Sequence, residues 1–163
     1  MKNLMRAPVS ETYQAIVAAP SFCLGLRGDD CELHSLVYLE PGPEVPPRNP
    51  LAAEAARQLR AYLIDPGFIF ELPLRPSGTA FQRRVWEQII AIPSRQTKSY
   101  GELARILHNA PRAVGQACGA NPFPLIVPCH RVIATGGGLG GFARQRGGFL
   151  LDVKRWLLAH EGH

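Results

Sequence analysis

The sequence predicts an α/β N-terminal domain, a small and mainly antiparallel sheet plus one helix. A mainly α C-terminal domain with a winged-helix-like helix-turn-helix follows it. Three observations point there. Up to residue 40, apolar residues come in short runs broken by turn residues, as strands do. From residue 79 onward they recur at helical spacing behind recognisable N-caps. Charge also changes sign: residues 1–74 hold six Lys and Arg against nine Asp and Glu, net −3, whereas residues 75–163 hold twelve against four, net +8. The expected domains are 1–75 and 76–163.

With 163 residues and 46% hydrophobic composition, the chain can bury a real core. Only 19% of residues are charged, which excludes a solvated tail, and no run of about 18–20 apolar residues suggests a membrane span. MKNLMRAPVSETYQ lacks the apolar stretch of a secretory signal. A cytoplasmic protein with no membrane partner is expected. Cys23, Cys31, Cys118 and Cys129 are too sparse for a disulfide scaffold. Cys23, Cys31 and His34 lack an obvious fourth ligand, so no metal is expected.

Taken in order, YQAIVA, FCLGLRG and ELHSLVYLE read as strands, separated by Pro20-Ser21 and by Gly28-Asp29-Asp30. Five prolines between residues 41 and 50 then forbid a sheet. Asn49 can cap a helix with Pro50 at its first position, running through LAAEAARQLRAYL until Asp65-Pro66-Gly67. In the second half, Thr79 or Ser77 can cap a helix whose core face is Phe81, Val85, Ile89 and Ile92, widened by Trp86 and Ile90, with Pro93 as the stop. Ser99-Tyr100-Gly101-Glu102 has the form of a capping box, ahead of an apolar face of Leu103, Ile106 and Leu107. After His108-Asn109-Ala110, Pro111 opens RAVGQACGA, which gives helix-turn-helix spacing. This helix is built of small residues, so something must approach it closely, a packing neighbour or a ligand. LLDVKRWLLAHEGH closes the chain as a helix.

The chemistry concentrates in NPFPLIVPCHRVI. Prolines 122, 124 and 128 forbid a regular helix and fix the backbone leading to Cys129. His130, Arg131 or a nearby helix terminus could favour its thiolate, although an ordinary cysteine beside a histidine is more often buried and inert. Seven glycines between residues 136 and 148 can line a pocket or form a flexible loop. Their spacing matches neither a phosphate-binding loop nor a dinucleotide fingerprint, so no nucleotide cofactor is expected.

KSYGELA, the helix beginning PRAVG, NPFPLIVPCHRVI, LGGF and WLLAHEG together resemble the methylated-DNA–protein-cysteine methyltransferases, the O6-alkylguanine-DNA alkyltransferases, over about residues 77–163. The resemblance implies irreversible transfer of an alkyl group from O6 of guanine in DNA, possible also for O4-alkylthymine, to Cys129, without turnover and without a cofactor. It implies that His130 takes the thiol proton through a bound water while Glu161 orients the imidazole. Tyr100 is implied as proton donor to the leaving guanine and as a neighbour of the DNA phosphate, and Asn121 as a hinge into the active-site segment. Double-stranded DNA is the implied partner, bound through the minor groove with the damaged nucleotide flipped out. Arg112 is implied to fill the vacated stack, with Ala113, Gly115 and Ala117 allowing close approach to the groove. The pocket is implied to involve Val132, Gly141, Phe142 and Ala143. A monomer is expected, with cooperative assembly on DNA as an option.

The sequence departs from the family pattern at Phe142 and Ala143, where members often carry Tyr or have Ser, which bears on a pocket hydrogen bond. Residues 143–152 form a longer segment than in compact members, and its Arg144 and Arg146 could reach phosphates. Two other readings are a lesion-binding protein of the alkyltransferase-like class that transfers nothing, and a Cys-His hydrolase. Cys129 stands against the first, the helix-turn-helix with Arg112 against the second.

Overall fold

The computed structural model describes residues 13–140 and 148–163. The chain divides into two compact units, Met1–Arg75 and Pro76–His163. In the first, β1 (Ala15–Ala18), β2 (Cys23–Gly28) and β3 (Leu33–Leu39) form an antiparallel sheet in the order β1-β2-β3. Ala15 pairs with Leu26 and Leu24 with Tyr38. Cys23, Leu24, Gly25 and Leu26 are all buried, so β2 is covered on both faces. On one face Tyr13, Ile16 and Cys23 form a cluster with Val37, Leu39 and Val45. A Cβ at Gly25 would stand 2.8 Å from the Tyr13 ring, so the glycine makes room for the tyrosine.

Helix α1 (Pro50–Ile64) starts where the sequence indicates. Asn49 accepts from Ala52 N–H at 2.7 Å and proline occupies the first turn, where its missing N–H costs nothing. Its buried stripe is Ala52, Ala55, Ala56, Leu59 and Tyr62.

The second unit contains α2 (Ala80–Ile90), β4 (Lys98–Ser99), α3 (Tyr100–Leu107), α4 (Pro111–Gly119), a single 3-10 turn at Cys129–Arg131, β5 (Val132–Ile133) and α5 (Phe149–His160). Thr79, rather than Ser77, caps α2 in a reciprocal box with Gln82. Ser99 and Glu102 form the expected box on α3. His108 closes α3 at φ 53°, and three residues later α4 begins, giving a helix-turn-helix. Trp86 of α2 donates its indole N–H to the Ala117 carbonyl of α4 at 2.9 Å.

Two expected core positions face water. Ile90 is 56% and Ile106 44% exposed, because the neighbours of α2 and α3 cover only Val85, Trp86 and Ile89 on one and Leu103, Ala104 and Leu107 on the other. Helix α2 also ends before Ile92, which is buried from the following turn.

Candidate functional site

Strand β4 runs parallel to β5 with Lys98 opposite Val132 and Ser99 opposite Ile133. That register carries two chemistries to one place. Tyr100 is the first residue of α3, directly after β4, and Cys129 opens the 3-10 turn that leads into β5. The segment between α4 and Cys129 is held by Asn121. Its side-chain oxygen accepts from Phe123 N–H at 2.9 Å, and its Nδ2 donates to the Val127 carbonyl at 2.9 Å and lies 3.2 Å from Cys129 Sγ. Within this clasp Leu125 adopts φ 78°, an uncommon conformation for a branched side chain, while its side chain is buried. Cys129 itself is 3% exposed.

The residues that follow the cysteine enter a buried triplet of ionisable side chains, His130, Arg131 and Glu161. His130 Nε2 stands 2.8 Å from Glu161 Oε2, and both side chains have no exposure. Arg131 donates to the same carboxylate twice, from Nε at 2.9 Å and Nη2 at 3.0 Å, and from Nη1 to the Ile92 carbonyl at 2.8 Å. The Arg131 guanidinium is thus committed to Glu161 and the Ile92 carbonyl. With the carboxylate already paired, burial dominates the imidazole and lowers the His130 pKa, against the pull of Glu161. A neutral ring facing a carboxylate carries its proton on Nε2. Nδ1 is then an acceptor, and it is a buried atom with no hydrogen-bond partner among the described residues.

Lys154 was not singled out by the sequence. It has no exposure, and its ammonium donates to the carbonyls of Val132 at 2.8 Å and Leu139 at 2.7 Å. Burial lowers its pKa to about 8, opposed by the electrostatic pull of Cys118 and Cys129. The Val132 carbonyl is thus occupied by Lys154, while the valine side chain is fully buried. Tyr100 lies with its ring centroid 6.0 Å from the Lys154 nitrogen. Burial first, then the two cysteines, raise the Tyr100 pKa, so the phenol keeps its proton at neutral pH. Gly140 has φ 70°, and a Cβ there would come 3.2 Å from this ring.

The family model that matches residues 80–163 is described as the DNA-binding domain of 6-O-methylguanine DNA methyltransferase. A methylated-DNA–protein-cysteine methyltransferase of Methanosarcina mazei is 38% identical over 157 residues, which is 91% of this chain and 96% of the relative. The chain belongs to the methylated-DNA–protein-cysteine methyltransferase family. The enzyme of that name from Mycolicibacterium paratuberculosis is 42% identical over 152 residues, 89% of each chain. Among solved structures, that of Mycobacterium tuberculosis OGT in complex with DNA matches with a TM-score of 0.74 at 38% identity, covering 90% of both chains.

Against this methyltransferase background, the other expected residues fall as follows. Arg112 is exposed in the first turn of α4, and Ala113 and Gly115 are half-buried. A Cβ at Gly115 would reach within 4.0 Å of the Tyr100 ring. Ala117 is 2% exposed, and its carbonyl is taken by Trp86, so its small side chain serves the packing of α4 on α2 and not a groove. Gln116, one turn from Arg112, is exposed on the outer face and gave no signal in the sequence. Gly141, Phe142 and Ala143, with Arg144 and Arg146, lie outside the described residues. Cys23 and Cys31 do not converge with His34: Cys23 is buried against Tyr13 and Ile16, and Cys31 is exposed. Asp29, Glu32 and His34 do cluster, but Asp29 Oδ1 accepts from the backbone of Cys31 and Glu32, and Arg75 donates to His34 at 2.7 Å.

Proposed function

We propose that the protein repairs DNA by direct reversal, moving the alkyl group from O6 of guanine to its own Cys129, once per molecule. The observation that carries this is the buried Arg131–Glu161–His130 chain, in which burial keeps His130 neutral and Nδ1 has no partner among the described residues, one position after a rigidly held cysteine. A water between the thiol and Nδ1 passes the thiol proton to the imidazole. Asn121 Nδ2 and the Lys154 charge stabilise the sulfur as it gains negative charge. Sγ then attacks the alkyl carbon, the S–C bond forms and the O6–C bond breaks. The electron pair stays with guanine, which takes a proton from Tyr100, and the proton that His130 received from Cys129 returns to the Tyr100 phenolate through solvent.

DNA reaches the site through α4. Arg112, exposed at its start, enters the minor groove and takes the place of the flipped nucleotide, with Ala113 and Gly115 permitting close approach. Flipping costs a few kcal/mol, which contacts to the extruded base and phosphates offset. The net charge of +8 on residues 75–163 draws the protein to the duplex. The protein acts as a monomer in the cytoplasm. Among the described residues no helix is long and apolar enough to cross a membrane.

The test is label transfer from a duplex carrying O6-methylguanine with a labelled methyl group, supplied in excess. One label per chain at the plateau is expected, and none with Cys129→Ala. Continued release of labelled product beyond one per chain would replace this reading with a turnover reaction.

A further inference from the structure

Helix α4 does not end as a regular helix. In an unbroken helix the Ala117 carbonyl would accept from the N–H four residues on, that of Asn121. Asn121 N–H instead turns back to the Cys118 carbonyl at 3.2 Å, and Ala120 N–H is shared between the carbonyls of Gln116 at 3.1 Å and Ala117 at 3.2 Å. The place left on Ala117 is filled from another helix: Trp86 Nε1 donates to that carbonyl at 2.9 Å in a buried contact, 31 positions away in the sequence. A 3-10 turn has about 3.0 residues per turn where an α turn has about 3.6. The hydrogen bonds at the end of α4 therefore decide where the Asn121 side chain points, and that side chain donates to the Val127 carbonyl and lies 3.2 Å from Cys129 Sγ. The indole is itself held in place. Gly78 has φ 86°, and a Cβ there would stand 2.6 Å from Trp86 Cη2, while Arg83 Nη1 pins that turn by donating to the Gly78 carbonyl at 2.8 Å.

We propose that Trp86 is a positioning residue for the acceptor cysteine, its indole N–H locking the end of α4 in the tightened turn that aims Asn121 Nδ2 at Cys129 Sγ. It acts through Ala117 and Asn121 and not on the thiol. A buried carbonyl needs a donor, and with the indole gone the Ala117 carbonyl is best satisfied by Asn121 N–H. That restores the regular helical bond and turns Asn121 off the sulfur. The effect falls on the rate of transfer and not on affinity, because the proposed DNA contact through Arg112 lies at the opposite end of α4.

Trp86→Phe keeps an aromatic ring and removes the donor. Methyl transfer, a readout that rests on the repair reading, is followed in single turnover at saturating lesion-bearing duplex with the full chain. It is expected to slow about tenfold, with affinity for that duplex changed less than about twofold. Gly78→Ala displaces the ring from outside and is expected to slow transfer in the same way. Ile89→Val, a buried truncation on α2 that leaves the indole in place, is expected to transfer at the wild-type rate. In an Asn121→Ala background, Trp86→Phe should slow transfer by less than about a further twofold, since the group it aims is gone. A wild-type rate in Trp86→Phe, equal slowing in Ile89→Val, or the full effect on top of Asn121→Ala overturns the proposal. A second readout needs no DNA: alkylation of Cys129 by iodoacetamide, followed on the tryptic peptide 113–131 with fragment ions that separate it from Cys118. Trp86→Phe is expected to slow it by a similar factor, and an unchanged rate overturns the proposal. Slowed alkylation in a protein whose wild type never transferred methyl would overturn the repair reading alone.

Discussion

Glu161 lies without solvent exposure between an imidazole and a guanidinium, and burial of the ring, against the pull of Glu161 and with a smaller push from the Arg131 charge, keeps the imidazole neutral. Losing Arg131 would leave the Glu161 carboxylate buried with only the neutral His130 ring as its partner. Breaking such a buried pair from one side is costly. Arg131→Met is therefore expected to destabilise the fold by about 3–5 kcal/mol, read from chemical denaturation. The sign of the pH dependence follows from the lowered His130 pKa. Below its ordinary value of 6.5 the unfolded chain binds a proton that the native ring refuses, so stability present above 6.5 is lost as pH falls toward the native pKa. Transfer should follow with an acid limb whose midpoint lies below 6.5. A midpoint above that value would contradict a neutral, desolvated His130. Cys129 and His130 were legible because prolines and a histidine around a cysteine are visible locally. The Arg131 pairing was not, since its partner is 30 residues away. Lys154 was hidden for another reason: within VKRW it reads as a solvated helix residue, and only the fold turns it inward.

Caps and short registers do most of the positioning at the scale of elements. The Ser99–Glu102 box sets where α3 begins, and so where Tyr100 stands relative to β5 and Cys129. Ser99→Ala is expected to cost about 0.5–2 kcal/mol and to slow transfer more than Thr79→Ala, which removes an equivalent cap from α2, away from the tyrosine. Equal effects on transfer, measured in single turnover at matched stability, would contradict the positioning role. Gly140→Ala puts a side chain at φ 70° against the Tyr100 ring, with about 1–2 kcal/mol of backbone cost expected. The caps were readable in advance because side chain and backbone donor are three residues apart. The inward and outward faces were less so. Ile90 and Ile106 fit the apolar periodicity of their helices, and Ala117 fits a row of small residues, but each faces what the tertiary neighbours dictate.

Across the whole molecule, the unequal charge of the two halves predicts how DNA binding responds to salt. The acidic first 74 residues contribute little attraction, whereas residues 75–163 carry the surplus of basic groups. Affinity for undamaged duplex is expected to fall steadily as salt rises, with a log–log slope of about −0.9 per phosphate neutralised. Fluorescence anisotropy with the full chain checks this, and a flat response would exclude phosphate contacts as the main source of affinity. Arg112→Ala should weaken binding to lesion-bearing duplex more than binding to undamaged duplex if, as proposed, the side chain takes the place of a flipped base. The α/β then α order of the domains was legible from periodicity and charge, while the pocket wall at residues 141–143 lies outside the described residues.

The most direct measurement is the intact mass of the protein after incubation with a duplex containing O6-methylguanine, followed by peptide mapping. The account predicts a gain of one methyl group, about 14 Da, on Cys129 in every active molecule, with no gain in Cys129→Ser. Tight binding to the lesion with an unchanged mass, or the methyl group on any other residue, would contradict it.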